Sequence, residues 1–293
     1  MRRTRRIGAL ALATVLAGCG PSPIAAKLGL SPAAAGINSD VLNSEIDSRM
    51  GGIDTCVVIL DTATGGKAYQ YGEAEACMAK LAPCAIFDIP NSLIGLDLGV
   101  ITPGAVVKWD GSPQPVTEWK TDADLAKAFS GQIGWWFARE AQAVGRPRYI
   151  AALRDLDYGD HVTDGPSNAF WQGPQAGGGL TVTEGQQADF IRRFYAGDLK
   201  AQPAAIALVQ GLTKDETRND PRGGQATISG RVASCSSTAD GARSVSWWVG
   251  RLKTPQRDLS FSASIEGPDA PPGLEIETRL KAIFSDAGLL PAG

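Results

Sequence analysis

A serine and a lysine one helical turn apart can carry out acyl transfer, because this spacing aims both side chains into one cleft. No serine in the 293 residues is followed by a lysine three positions later. Among other nucleophiles, Cys84 has no evident base, since His161 is the only histidine and its loop setting favours a solvated side chain. Cys77-Met78-Ala79-Lys80 has a nucleophile-like spacing, but it precedes the helix that would present it. The residues alone therefore identify no nucleophile together with its base.

The cysteines are better explained by disulfides than by catalysis or metal binding. Setting Cys19 aside leaves Cys56, Cys77, Cys84 and Cys235, which permit three pairings. Cys77 and Cys84 lie seven residues apart around an expected turn, so we favour that pair, with Cys56 and Cys235 either bonded or free. One histidine and paired cysteines cannot form a metal cluster, so we expect no metal, and we expect no cofactor.

The first nineteen residues have the pattern of an export signal. Four arginines at positions 2–6 precede an apolar run from Ile7 to Leu16, and small residues lead to Cys19. This resembles a bacterial lipobox, which implies cleavage before Cys19 and lipidation of it. The alternative is an ordinary signal peptide with an incidental cysteine. The apolar run is too short for a good membrane span, so we expect a soluble body on the periplasmic side, held to the membrane by a lipid on Cys19.

The composition predicts one large mixed domain behind a spacer. Apolar residues make up 43% of the chain and charged residues 20%. The net charge of −3 and the lack of a basic run after the N-terminus argue against nucleic acid as a partner. Residues 20–42, rich in Ala, Pro, Gly and Ser, are expected to form a flexible spacer, and residues 43–293 one folded domain.

The hydrophobic periodicity predicts an α+β fold. We expect a hairpin of two strands at 56–60 and 67–71, and three further strands at 226–232, 245–250 and 260–265. Helical spacing predicts helices at 91–100, at 123–144, from 183–184 onwards with Thr181 or Thr183 as the N-cap, and at 278–287. This order predicts an antiparallel sheet built from both chain ends, flanked by helices, with a helical middle region.

Several segments in order resemble one known family. They are Asp88 to Gly99, Lys108-Trp109-Asp110-Gly111, Trp119, Leu156 to Asp160, Phe170 to Pro174 and Trp247-Trp248-Val249-Gly250. They resemble landmarks of the class D serine β-lactamases, the oxacillinases, within the penicillin-binding and transpeptidase-like superfamily. The resemblance runs from about Ile53 to the C-terminus and implies the fold of that family.

The family's chemical motifs fall on altered residues. Its Ser-x-x-Lys aligns with Ala85-Ile86-Phe87-Asp88, its Ser-x-Val with Gln132-Ile133-Gly134, and its Lys-Thr-Gly with Arg231-Val232-Ala233. Ser130 lies two residues from the second motif. Tyr158-Gly159-Asp160 keeps two letters of a fourth motif, and Trp171 keeps the position of a tryptophan that contacts the carbamylated lysine. The carboxylate-binding arginine is missing near 274–277, where Arg279 is nearest.

Two groups of side chains have both a functional and a structural interpretation. Asp88 could replace the anion of a carbamylated lysine near Trp171 or Arg231, although local hydrogen bonds or an ion pair are the favoured explanation. Four tryptophans could stack on a sugar but are more often core residues. They are Trp135, Trp136, Trp247 and Trp248.

These losses predict an envelope lipoprotein with a penicillin-recognising fold and no hydrolysis, that is, a pseudoenzyme with a binding or scaffolding role. The backbone N–H groups of Ala85 and Ser234 could still form an oxyanion pocket. The expected ligand is a β-lactam or peptidoglycan fragment bound without a covalent bond, and an envelope protein is a further expected partner. The alternative is a divergent β-lactamase or peptidoglycan-processing enzyme that uses Cys84 or Ser130.

Overall fold

The computed structural model describes residues 37–51 and 53–291. The signal segment, Cys19 and positions 20–36 lie outside the described residues. Six strands are β1 (Asp54–Asp61), β2 (Lys67–Tyr71), β3 (Lys214–Asn219), β4 (Gln225–Ser236), β5 (Ser244–Lys253) and β6 (Asp258–Gly267). Nine α-helices in these ranges are α1 (Ser39–Met50), α2 (Ala74–Met78), α3 (Asp88–Asp97), α4 (Leu125–Ser130), α5 (Gly134–Val144), α6 (Arg146–Leu156), α7 (Glu184–Ala196), α8 (Pro203–Leu212) and α9 (Gly273–Asp286).

The strands form one antiparallel sheet in the order β2-β1-β6-β5-β4-β3. Strand β1 pairs with β6 from Asp54 opposite Glu266 to Asp61 opposite Leu259, so the two ends of the chain meet at the centre. The predicted hairpin is formed by β1 and β2, with Gly65 at φ +72° in its turn. The expected α+β sheet from both chain ends is confirmed.

Helices cover both faces of the sheet. On one face, α1 and α9 bury an apolar stripe against side chains such as Val57, Phe261 and Trp248. On the other face, α7 and the helical middle region cover Trp247 and Ala233. Strand residues of opposite parity enter the two cores, as the alternation of side chains along a strand requires.

The structure corrects two of these predictions and agrees with a third. The helix expected over 123–144 is two helices, because Gln132 between them adopts φ +48°. Helix α1 begins at Ser39 and is capped by the side chain of Asn38. The first four residues of this helix therefore lie within residues 20–42, which were predicted to form a flexible spacer. Thr183 caps α7 in a capping box with Gln186, as one of the two expected N-caps.

The predicted Cys77–Cys84 disulfide is wrong. Cys77 bonds Cys56 and Cys84 bonds Cys235. The chain does not turn back between Cys77 and Cys84: Leu81 forms an antiparallel bridge with Val182 and carries the next residues away from β1 towards β4. Among the helices of the described ranges, none has the length and apolar character needed to cross a membrane.

Candidate functional site

The segment aligned with Ser-x-x-Lys forms the start of α3. Residues Cys84–Phe87 make a 3₁₀ turn that leads directly into the helix, and the Asp88 N–H donates to the carbonyls of Ala85 and Ile86. Cys84 adopts φ +53°, donates its N–H to the Trp171 carbonyl at 3.0 Å and is fully buried. Because its sulfur is bonded to Cys235, Cys84 offers no free thiol.

Asp88 points to the sheet and meets Arg231 of β4. The Arg231 Nη2 donates to the Asp88 carboxylate, and only 2% of Asp88 and 6% of Arg231 are exposed. Burial raises the pKa of the Asp88 carboxyl to about 6, although the guanidinium acts in the opposite direction. Burial likewise lowers the pKa of Arg231. Asp88 is thus held by an ion pair, which is the explanation favoured from the sequence.

The rest of the Arg231 guanidinium spans the space between β4 and the helical region. Its Nε donates to the Ala85 carbonyl at 2.9 Å, and its Nη1 donates to the Phe129 carbonyl at 2.6 Å. The guanidinium carbon also lies 4.0 Å from the centroid of the Phe129 ring. One side chain therefore joins β4, the 3₁₀ turn and α4, and occupies the region where a cleft would lie between them.

Gln132 makes a second connection across this region. Its left-handed backbone, in the break between α4 and α5, lets the side-chain Nε2 donate to the Val232 carbonyl at 3.0 Å. Its two neighbours in the aligned motif do not reach the region: Ile133 is buried in the core, and Gly134 lies beneath the Trp119 ring. A Cβ on Gly134 would be 2.9 Å from that ring. Ser130 is exposed and donates its hydroxyl to the Lys127 carbonyl at 3.2 Å.

The end of β4 is also covered by α9. A Cβ on Gly273 would lie 3.0 Å from both the nitrogen and the oxygen of Ala233, so the first residue of α9 packs directly on the strand. The Ser234 hydroxyl accepts the Gly273 N–H at 2.8 Å and bonds the Ser246 hydroxyl at 2.8 Å. Val232 faces the opposite core, with α1 and α9. The two proposed oxyanion donors, Ala85 and Ser234, are neighbours of the bonded Cys84 and Cys235, whose Cα atoms are 5.7 Å apart.

The fourth motif and Trp171 are packing residues in this structure. The Tyr158 hydroxyl donates to Gln187 at 3.0 Å, and full burial raises its pKa well above 10.0. Gly159 at φ +62° lets the backbone approach Thr181, whose hydroxyl donates to Asp160 at 2.6 Å. Trp171 stacks on Phe87 at a centroid distance of 5.2 Å. Its buried Nε1 has no hydrogen-bond partner in residues 37–51 and 53–291.

The remaining candidates lie outside this region or in the core. His161 sits in a loop with its Nε2 3.9 Å from Asp157. Trp136, Trp247 and Trp248 are buried, which leaves Trp135 as the half-buried member of the four tryptophans. Within the described ranges no group of three or more His, Cys, Asp or Glu side chains could hold a metal ion.

Sequence reasoning missed Phe129 and Gly273 as parts of the site. Both act through the backbone or a ring face, so their residue types gave no signal. The pairing of Asp88 with Arg231 could have been found in the sequence. Both aligned positions carry lysine in the family, whereas this chain has an acidic residue at one and a basic residue at the other.

A sheet built from both chain ends, with the first turn of a buried helix facing strand β4, defines the penicillin-recognising class of proteins. Residues 55–285 match the family model described as "Penicillin binding protein transpeptidase domain". The chain therefore belongs to the penicillin-binding protein transpeptidase family.

Similar proteins include class D β-lactamases and a receptor. The chain is 24% identical over 239 residues to β-lactamase OXA-20 of Pseudomonas aeruginosa, covering 81% of this chain and 84% of that protein. It is 27% identical over 187 residues to β-lactamase OXA-48 of Klebsiella pneumoniae, covering 64% and 66%. It is 23% identical over 227 residues to the regulatory protein BlaR1 of Bacillus licheniformis, covering 77% of this chain but 36% of BlaR1. The match thus spans about a third of BlaR1 and just under two thirds of OXA-48.

Solved structures show the same fold. The class D β-lactamase FUS-1 (OXA-85) of Fusobacterium nucleatum subsp. polymorphum superimposes with a TM-score of 0.74 at 20% identity, covering 86% of this chain and 99% of that one. The C-terminal domain of the Bacillus licheniformis BlaR penicillin-receptor gives a TM-score of 0.72 at 20% identity, covering 85% and 96%.

Proposed function

We propose that this chain is an envelope lipoprotein that keeps the penicillin-recognising fold without forming an acyl-enzyme, and that acts by binding or scaffolding. The observation that carries the proposal is the buried Arg231, which ties Asp88, Ala85 and Phe129 together where a substrate would enter. The connections through Gln132 and the Cys84–Cys235 disulfide support the same conclusion.

The chemistry supports a loss of acylation. A methyl group at Ala85 cannot form an ester, and the Asp88 carboxylate is held by Arg231 instead of facing a nucleophile. In serine proteases, loss of one catalytic residue already lowers turnover by about 10⁴ to 10⁶. The absence of both a nucleophile and its base at the aligned positions therefore leaves no route for the family's reaction.

The first residues and the disulfides support a cellular location outside the cytoplasm. The export signal predicts that the chain leaves the cytoplasm, and two disulfides are typical of an oxidising compartment. We place the protein on the periplasmic side of a bacterial membrane, anchored through Cys19. The similarity to a domain described as a penicillin-receptor supports a β-lactam or a peptidoglycan fragment as the ligand. We propose that this ligand binds without a covalent bond because Ala85 offers no nucleophile. An envelope protein is the other partner that a scaffold would need.

The second candidate is a divergent β-lactamase or peptidoglycan-processing enzyme with another nucleophile. Ser130 is the residue that keeps it in consideration, because its side chain is exposed two positions from Gln132. Cys84 would first have to be released from its disulfide.

Intact-mass spectrometry tests the proposal directly. The purified full chain is incubated with excess penicillin and with a carbapenem, beside an active class D β-lactamase as the positive control. We expect an unchanged mass for this chain and a stoichiometric adduct for the control. A stoichiometric adduct on this chain would overturn the proposal, and peptide mapping with Ser130→Ala would then decide between the two candidate nucleophiles.

A further inference from the structure

Two surface cavities, of about 400 and 460 Å³, lie side by side next to the short helix α2. Both are lined by Asp54, Glu73 and Ala76, so together they form one groove, which we call the acidic groove. One cavity reaches α1 and β2, and the other reaches β6. Each volume falls within the range of about 300–1,000 Å³ that small-ligand sites occupy. The acidic groove shares no residue with the region closed by Arg231.

Negative charge is in excess along the acidic groove. Five carboxylates line it, whereas Arg243 is the single basic residue in its lining. The Arg243 guanidinium is already engaged, because it donates to Glu266 at 2.8 Å and to Asp54 at 3.1 Å. Lys67 lies outside the lining and donates its ammonium to Gln70 at 2.6 Å. The five carboxylates are those of Asp47, Asp54, Glu73, Glu75 and Glu266.

The carboxylates of α2 and its N-cap are available to a ligand. Glu73 and Glu75 are exposed, and they form no hydrogen bond or ion pair with side chains of residues 37–51 or 53–291. Asp47, at the far end of the groove, accepts the Tyr71 hydroxyl and keeps its second oxygen for another donor. The free acceptors are therefore spread along the groove.

The spacing of the carboxylates fits an extended organic cation better than a metal ion. In the part of the chain that the structure describes, no three or more acidic, His or Cys side chains come close enough to hold one metal ion. Apolar side chains lie between the carboxylates, namely those of Ile53, Ala76, Ala79 and Leu81. Long aliphatic amines place their methylene groups on such surfaces and their charged ends on acceptors.

A buried carboxylate without a cation lies directly behind the groove. Ser264 lines the groove, is only 2% exposed and donates its hydroxyl to one carboxylate oxygen of Glu184. The other oxygen of Glu184 is buried and has no hydrogen-bond partner among the described residues. A buried carboxylate is costly unless a cation compensates for the lost water. A positive charge placed in the groove at Ser264 would supply that compensation.

We infer that the acidic groove binds a linear polyamine. One ammonium group lies at Ser264, a second beside Asp54 and Glu73, and a third towards Asp47. The ammonium groups donate charge-assisted hydrogen bonds to the carboxylates, and the methylene segments cover the apolar side chains between them. The inference does not depend on the function proposed above, because it uses no residue of the closed region.

Isothermal titration calorimetry on the full chain in mild detergent, at pH 8 and low salt, tests this inference. The probes are spermine, spermidine, putrescine, magnesium chloride and tetralysine. We expect spermine and spermidine to bind with one molecule per chain, and more tightly than putrescine, which has only two ammonium groups. The affinity should fall as salt is added, because salt screens exposed charges.

Three outcomes would overturn the inference. The first is the absence of spermine and spermidine binding. The second is magnesium binding as tight as that of spermidine, which would mean that the groove attracts any counter-ion. The third is tighter binding of tetralysine than of spermine, which would identify the groove as a site for a basic peptide.

Variants of the groove locate the contacts. Glu73→Gln and Glu75→Gln should each lower the affinity for spermidine by roughly two- to fivefold, since each removes one exposed ion pair with the ligand. Both residues are exposed, and the Glu73 side chain makes no capping hydrogen bond to α2, so the fold should be kept.

Glu184→Gln tests the ammonium group at Ser264. Burial raises the pKa of Glu184 to about 7, so its carboxylate is largely ionised at pH 8. Removing this charge should lower the affinity for spermidine by roughly twofold or more. An unchanged affinity would contradict the placement of an ammonium group at Ser264.

The matched control is Glu118→Gln, an exposed glutamate that lines neither cavity. It should bind every probe as the unaltered chain does. If Glu73→Gln and Glu75→Gln bind spermidine as tightly as Glu118→Gln, any binding lies elsewhere on the molecule and the assignment to the acidic groove is refuted.

Discussion

The buried ion pair between Asp88 and Arg231 explains why β4 carries an arginine at this position. A lysine would offer a single point charge, whereas the planar guanidinium makes three separate hydrogen bonds, to Asp88, Ala85 and Phe129. A buried carboxylate is costly unless a cation and further hydrogen bonds compensate for the lost water. The ion pair therefore fixes one arrangement of three elements, and its two residue types depend on each other.

Removing one partner of this ion pair should lower the free energy of unfolding far more than removing both partners. Arg231→Met leaves Asp88 buried without a cation and should lower the free energy of unfolding by about 3–5 kcal/mol. Adding Asp88→Leu to Arg231→Met should recover most of that loss, because the double variant has no uncompensated charge. Urea unfolding of the two single variants and the double variant gives the coupling energy.

Lys108→Met is the control for this cycle, since the Lys108–Asp122 pair is exposed and solvent screening leaves such pairs with little effect on stability. If Arg231→Met behaves like Lys108→Met, the guanidinium does not hold the closed region together.

Glu184 should make the stability of the folded chain depend on pH. It is the first residue of α7, almost fully buried, with one carboxylate oxygen bonded to the Ser264 hydroxyl and the other without a partner in the described chain. Burial raises the pKa of Glu184 to about 7 from 4.5, against the weaker opposing effect of Ser262 and Ser264. Because the folded state favours the protonated form, its contribution to stability is fully present below pH 4.5 and is lost as the pH rises through 7.

The chain should therefore be more stable at pH 5 than at pH 8, and Glu184→Gln should remove much of the difference. The effect is on the order of 3 kcal/mol, since one pKa unit corresponds to about 1.4 kcal/mol. The pKa of Asp88 is also raised, so Asp88 lowers stability in the same direction as the pH rises. A smaller dependence of the free energy of unfolding on pH should therefore remain in Glu184→Gln. Denaturant unfolding at both pH values measures this, with exposed Glu75→Gln as the control. If Glu184→Gln loses as much free energy of unfolding between pH 5 and pH 8 as the unaltered chain does, Glu184 is not the titrating group.

At the scale of elements, periodicity predicted the strands and helices that bury a regular stripe. Strand β3, with the sequence Lys-Asp-Glu-Thr-Arg-Asn, was missed because it has no apolar alternation and joins the edge of the sheet through its backbone. The break between α4 and α5 was missed because Gln132 is not a residue type that marks a left-handed turn. The connection from Gln132 to Val232 depends on that break, so this part of the site could not be predicted from the sequence.

The two disulfides connect different elements and should contribute differently to the stability of the fold. Cys56–Cys77 joins β1 to α2 across a sequence separation of 21, and Cys84–Cys235 joins the 3₁₀ turn to β4 across 151. Chain entropy predicts that the longer loop contributes about 1–2 kcal/mol more, within a usual range of about 2–5 kcal/mol.

Each pair should be replaced by two alanines, and urea unfolding of the two double variants should be compared. Loss of Cys84–Cys235 is expected to give the lower unfolding midpoint. The opposite order would mean that native contacts around Cys56–Cys77, and not loop length, determine the difference.

At the scale of the whole molecule, the fold was predictable and the closure of its cleft was not. Landmarks such as Trp247 and Phe170 fill the core, so they persist wherever the fold does and made the resemblance recognisable. The closure is built from single contacts between distant segments: the Arg231 side chain, the Gln132 amide, the Cys84–Cys235 disulfide and the approach of Gly273 to β4. Each depends on three-dimensional proximity that residue spacing does not encode.

This closure predicts that restoring the serine will not restore acylation. In Ala85→Ser a hydroxyl would be added at a half-buried position, and the change should alter stability little. Its carbonyl would still be bound by Arg231, Asp88 would still be paired, and no lysine would take the proton of the new hydroxyl. Intact-mass spectrometry with excess penicillin should therefore find no adduct on Ala85→Ser.

The same experiment on Ala85→Ser/Gln132→Ala removes one connection across the region while leaving the ion pair and the disulfide. We expect this variant to stay unmodified as well, because the Arg231 guanidinium still spans from β4 to α4. A penicilloyl adduct on Ala85→Ser alone would show that the region is open to a β-lactam and that only the nucleophile separates this chain from its enzymatic relatives. An adduct that appears only with Gln132→Ala would instead identify the amide, and not the guanidinium, as the barrier to entry.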